Sequence, residues 1–135
     1  MALQFSVAVR NARADTVEST IGATAILRIR SGAVPATCAT ADAGTILATL
    51  TLPSDWMSAA SAGAKSLLGT WQETSADAAG TAAHFRIYDS AGTVCGLQGT
   101  VTATGGGGDM TLDNAVLALA QQVNVTAFTI AEGNA

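Results

Sequence analysis

The side chains able to do chemistry are few. His84 is the one imidazole, and Cys38 and Cys95 are the two thiols. A nucleophilic dyad needs thiol and imidazole within hydrogen-bond reach, plus donors for a developing oxyanion. His84 and Cys95 flank the turn Asp89-Ser90-Ala91-Gly92. Pairing centred on Ser90-Ala91 sets position 84 against 97 and position 86 against 95. His84 and Cys95 then become diagonal neighbours on one face. Nothing around Cys95 supplies an oxyanion hole or a nucleophile signature, so the pattern argues against a dyad. Zinc usually takes four ligands, and two isolated cysteines with one histidine fall short. The carboxylates are spread through predicted loops with no shielded pair. No enzymatic activity, cofactor or metal is expected. The thiols read as two small, partly buried side chains, with a disulfide formed after release from the cell as the sharper alternative.

Two further patterns invite a chemical reading. Gly105 to Gly108 is a run of four glycines, but a phosphate loop needs a following Lys-Ser/Thr and a helix N-terminus. Asp109-Met110-Thr111-Leu112-Asp113 follows instead, so the run reads as a connector. Asp109, Asp113 and Asn114 carry oxygen ligands without the spacing of a calcium loop. Asn124-Val125-Thr126 matches a glycosylation acceptor, read as accidental where no secretory signal precedes it.

The partner-contact candidates are Trp56, Met57, Arg28 and Arg30. Trp56 and Met57 stand beside a loop of small residues, either as an interface anchor or as a plug for the end of a sandwich. Arg28 and Arg30 share one side of an alternating strand, either facing an acidic partner or simply solvated. Loops 31–44 and 53–64 and the N-terminal segment are the candidate docking elements.

The elements that must position these residues can be read from periodicity. A helix is expected over about 6–20, where Val7, Ala14, Val17 and Ile21 fit one face and Gly22 falls at the C-terminal cap. Strands are expected at 25–30, 45–52, 65–74 with Gly69 as a bulge, 84–88, 93–103, 109–113 and 122–130. Pro53 ends the second of them. Seven or eight short strands at spacings of roughly 10–20 residues, with one N-terminal helix, predict a mainly β chain. The expected architecture is a single β-sandwich or jelly-roll-like domain.

Bulk composition narrows the partners. The 135 residues suit one domain; 49% are hydrophobic and only 12% charged, with a net charge of −4. The basic residues are scattered, so nucleic acid is not an expected partner. No apolar run approaches the roughly 20 residues of a membrane span. The N-terminus lacks the layout of a signal peptide, so synthesis in a cytoplasm is expected. The surface must be largely Ala, Ser, Thr, Gly and amide, which favours a partner or self-assembly.

The segment HFRIYDSAG at 84–92, with the following strand and GGGGDMTLDN at 105–114, resembles a widespread set of small structural proteins of tailed bacteriophages and prophages. SVAVRNARADTVESTIG, ILRIRSGAVPATC, LTLPSDW and QQVNVTAFTI extend the resemblance over nearly the whole chain. These are structural motifs, and no functional residue is carried over with them. The resemblance implies a virion protein, first a decoration or cement protein on the major capsid protein shell, and a homo-oligomer. A tail, neck or fibre-attachment component is the alternative. A carbohydrate-binding adsorption module is weaker, because the chain has few aromatic residues.

Overall fold

The helix follows its local signals. In a computed structural model that describes residues 2–135, helix α1 spans Val7–Ile21. Ser6 caps it, its hydroxyl oxygen accepting from the Val9 N–H at 3.3 Å. Gly22 ends it, its N–H bonding the Glu18 carbonyl. The apolar face is thin: Ala14 is buried, Val17 and Ile21 are half-buried, and Val7 is exposed. Apolar burial alone therefore does not hold α1 in place.

Ten strands follow among the described residues: β1 (Ile26–Arg30), β2 (Ile46–Thr51), β3 (Ala64–Ser66), β4 (Gln72–Glu73), β5 (Gly80–Thr81), β6 (His84–Tyr88), β7 (Cys95–Ala103), β8 (Met110–Leu112), β9 (Val116–Leu117) and β10 (Val123–Ala131). With 37% strand and 11% helix the chain is mainly β, a small β-sandwich-like domain. The principal sheet runs β2-β1-β6-β7-β8-β10-β3, with β4 also on β10; β5 and β9 pair separately. The strand count exceeds the expectation because one expected strand divides and β5 and β9 add a short pair. The expected strand 65–74 divides into β3 and β4, because Gly69 lies at φ 76° and Trp71 turns inward to the core. The edge of β2 is covered by the 73–77 segment. Glu73 Oε2 accepts from the Thr49 N–H at 2.7 Å, and the Asp77 N–H donates to the Leu47 carbonyl at 2.7 Å.

Strand alternation decides the core. Leu27 and Ile29 of β1 and Phe85 and Ile87 of β6 point inward and join Leu47, Leu50, Met110, Leu112 and Val123. Four rings chain through this core: Trp56 to Trp71 at 5.9 Å, Trp71 to Phe128 at 5.7 Å and Phe128 to Phe85 at 5.4 Å. Each ring contributes about 4–6 kcal/mol of transfer free energy on an area basis.

Two connections set the sheet's register. The β6–β7 hairpin pairs His84 with Thr100 and Tyr88 with Cys95. Pairing about Ser90-Ala91 is therefore corrected, because the turn is six residues long, 89–94. The Asp89 carboxylate accepts from the Thr93 and Val94 N–H groups at 2.9 and 3.2 Å, and the Asp89 N–H donates to the Val94 carbonyl. The second connection is the glycine run. β7 and β8 are parallel neighbours joined by 104–109 alone, where parallel strands ordinarily need a dozen or more residues. The return is this short because Gly105 and Gly107 take φ 88° and 82°, and because a Cβ at Gly106 or Gly108 would meet Thr102 at 2.7 or 2.8 Å. The Asp109 carboxylate then pins Thr100, accepting from its N–H at 2.9 Å and its hydroxyl at 3.0 Å.

Candidate functional site

The outer face of β1 and β6 is polar. Antiparallel pairing sets Arg28 against Arg86 and Arg30 against His84, and β7 adds Gln98 beside Arg86. Loop 31–44, which joins β1 to β2, folds back over this face. Arg86 holds it, donating to the carbonyls of Thr37 and Thr40 at 2.9 Å each, to Asp42 Oδ1 at 2.8 Å and to Gln98 Oε1 at 3.1 Å. Gln98 donates in turn to the Pro35 carbonyl at 2.7 Å. Arg30 bonds Asp42 Oδ2 at 3.0 Å, and the Tyr88 hydroxyl donates to Asp42 Oδ1 at 2.5 Å. Arg86 is 2% exposed and Arg30 5%. The buried Arg86 guanidinium is stable here because each of its nitrogens is met by a carbonyl or a carboxylate, whereas the buried Arg30 Nε has no partner.

The charges shift accordingly. The Tyr88 hydrogen bond, followed by the Arg86 bond and the two guanidinium charges, outweighs burial and holds the Asp42 carboxyl below its usual range. Burial first, and the bond to Asp42 second, push the Tyr88 phenol up. His84 is fully buried, with Nδ1 2.8 Å from the Gly32 carbonyl. A carbonyl oxygen only accepts, so Nδ1 carries the hydrogen.

A pocket of about 270 Å³ opens between the loop and the hairpin, lined by Cys38, Thr40, Asp42, Arg86, Tyr88 and Cys95. The Cys95 thiol donates to the Leu97 carbonyl at 3.5 Å, and burial followed by the neighbouring Cys38 pushes its pKa up to about 11. It is a thiol at neutral pH, not a thiolate nucleophile. His84 lies opposite Thr100 and Arg30, while Cys95 lies opposite Tyr88. The diagonal contact expected between His84 and Cys95 is therefore not formed, and the longer turn is the reason.

A second polar cluster fastens α1 over the 54–63 segment. Glu18 Oε1 accepts from the Trp56 and Met57 N–H groups at 2.9 and 3.0 Å, and Glu18 Oε2 takes Lys65 Nζ at 2.8 Å. Asp15 bonds Lys65 Nζ at 2.9 Å and accepts from the Ala60 N–H. Asn11 accepts from the Gly63 N–H at 2.7 Å, while Arg10 donates to the Ala62 and Glu132 carbonyls. Burial works against the Glu18 carboxylate, yet Lys65 and the two backbone donors outweigh it and hold its pKa low.

The four partner-contact candidates do not share one environment. Trp56 and Met57 are 0% and 1% exposed, so the interface-anchor reading is corrected. Trp56 stacks on Trp71 and donates from Nε1 to the Gly22 carbonyl at 3.0 Å, closing the end of the core under α1. Arg30 is buried, because loop 31–44 covers the face that periodicity left open. Arg28 is half-buried, lying 4.7 Å from the Tyr88 ring centroid and donating to the Gly92 carbonyl at 3.1 Å. The residues that organise both clusters, Asp42, Arg86, Glu18 and Lys65, carried little sequence signal. One clue was present: Asp42 is the sole acid in 31–44, and it pairs with Arg30 and Arg86.

Basic charge in this molecule is directed inward, while Asp55, Asp77, Asp109 and Asp113 stay exposed. All six basic side chains bond or pair within the chain: Arg10, Arg28, Arg30, Lys65 and Arg86 as described, and Arg13 with Glu132 at 3.0 Å. A few large apolar side chains lie outside the core instead. Leu3 is 70% exposed, Val116 66% and Leu119 68%, with Val7, Val94 and Leu68 also exposed. No helix is long and apolar enough to cross a membrane among the described residues. No protein-family model, curated protein or solved structure matches this chain.

Proposed function

We propose that this chain is a structural protein of a tailed-bacteriophage virion, a decoration protein that binds the outer surface of the major capsid protein shell and stabilises it. The observation that carries the reading is the division of labour between side chains. Charged groups fasten the chain's own loops, as Arg86, Asp42, Glu18 and Lys65 do, while Leu3, Val116 and Leu119 face outward. A surface so built offers neither a reacting group nor a polyanion grip; it offers small and apolar contact area. The resemblance of HFRIYDSAG and GGGGDM to phage structural proteins points the same way.

Binding is repeated by the symmetry of the shell, so weak contacts per copy add through multivalency. The docking elements are the N-terminal segment around Leu3 and the 116–119 segment, with the small-residue loops 31–44 and 53–64 allowing close approach. Self-association into a homo-oligomer on the shell belongs to the same proposal. The carbohydrate alternative loses support from the tryptophans, since Trp56 and Trp71 lie in the core and form no sugar platform.

The test is cryo-electron microscopy of purified virions with quantified protein bands. Regular density over the capsid surface at high copy number is the expected result. Density confined to the tail or neck assigns the chain there instead. Absence from particles overturns the virion reading.

A further inference from the structure

Loop 31–44 is joined to the sheet beneath it by hydrogen bonds and ion pairs, with no covalent tie. The chain's two thiols, however, border the pocket beside this loop together. Cys38 comes from the loop and Cys95 from the first position of β7, and both line the same cavity. Both are half-buried, so neither is sealed from a small reagent. They arrive from distant parts of the sequence, and Arg86 brings them together by gripping the carbonyls on either side of Cys38, those of Thr37 and Thr40.

We propose that Cys38 and Cys95 form an intramolecular disulfide by exchange with a low-molecular-weight disulfide such as oxidised glutathione, locking loop 31–44 onto β7. The Cys38 thiolate attacks one sulfur of glutathione disulfide. A mixed disulfide forms on Cys38, and one glutathione thiolate leaves and takes up the proton Cys38 gave up. Cys95 then loses its proton and attacks the Cys38 sulfur, and the second glutathione leaves as a thiol. Two protein thiols are oxidised, and one glutathione disulfide is reduced to two thiols. The order follows from the site. Burial and the Cys38 neighbour keep Cys95 protonated, so the first attack falls to the loop cysteine and Cys95 resolves it.

The experiment treats the full chain, under native conditions, with oxidised glutathione, then measures intact mass, free thiols and the peptide map. The expected result is loss of both thiols, a mass lower by two hydrogens, and one peptide pair linked through Cys38 and Cys95. Cys95→Ser should stop at a glutathione adduct on Cys38, whereas Cys38→Ser should leave Cys95 a free thiol. Stable glutathione adducts on both cysteines would overturn the proposal. So would a bond formed only between chains, or cross-linking only after denaturation.

Discussion

The two irregular segments of this molecule, 31–44 and 54–63, are fastened by opposite chemistry. Beneath the first, cations on strands reach up and hold loop carbonyls: Arg86 takes those of Thr37 and Thr40. Over the second, anions on a helix reach down and hold loop N–H groups: Glu18 takes those of Trp56 and Met57, and Asp15 that of Ala60. In both cases a charged side chain of the regular element grips loop backbone, and in the first loop Asp42 adds its own carboxylate to Arg86, Arg30 and Tyr88. Apart from Asp42 in the first and Trp56 and Met57 in the second, the residue types of loops held by their backbone matter little, and both are rich in Ala, Ser, Thr and Gly. The loops differ in what lies under them. Trp56 and Met57 seal the second against the core, whereas the first leaves a pocket of about 270 Å³ lined by its Cys38 and by Cys95 of β7.

Substitutions can separate the two fastenings. Arg86→Met has the largest expected effect, about 3 kcal/mol, because Asp42, Gln98 and two carbonyls lose a buried donor together. Hydrogen exchange should then show loop 31–44 deprotected and 54–63 unchanged; equal loss in both would merge the two units. Glu18→Ala should cost about 2 kcal/mol by orphaning two N–H groups and Lys65, with the urea midpoint as readout. Glu18→Gln keeps an acceptor and should recover about half of that. Lys65→Met is smaller, about 1 kcal/mol, since Glu18 retains its backbone donors; a larger loss would move the latch from the loop amides to the ion pair.

Acid acts on both regions. Asp42 and Glu18 are held below their usual values, so their contribution is complete above the ordinary carboxylate range. It is lost as pH falls through the lowered folded values, from about pH 4 downward. Glu73 runs the other way. Burial raises its pKa, with the Asp77 charge adding to it, so its contribution is present in acid and lost as pH rises through that raised value. Denaturant midpoints measured against pH should fall in acid, and Asp42→Asn should flatten that limb; an unchanged limb would remove Asp42 from the account.

Local signals were legible in the sequence. Gly22 was read as the C-terminal cap of α1, and the alternation of Leu27 with Arg28 and Ile29 with Arg30 assigned the core face of β1 correctly. Register was not legible, because the Asp89 carboxylate organises a six-residue turn where Ser90-Ala91 read as a tight one. What covers the second face of a strand was not legible either. Periodicity shows that Arg30 and Arg86 share a face, but Asp42 reaches them only after loop 31–44 folds back. Trp56 was open between anchor and plug because a large ring beside small residues suits both, and only its contact with Trp71 decides.

The central claim is that internal charge pairing leaves a docking surface of apolar and small residues. The most direct test measures binding of the purified chain to capsid shells stripped of it, at low and at high salt. The account predicts binding that holds or tightens as salt rises, since screening weakens exposed charge contacts and leaves apolar burial intact. It also predicts weaker binding for a Val116→Ser, Leu119→Ser double variant of unchanged stability. Binding abolished by salt and indifferent to those two positions would contradict it.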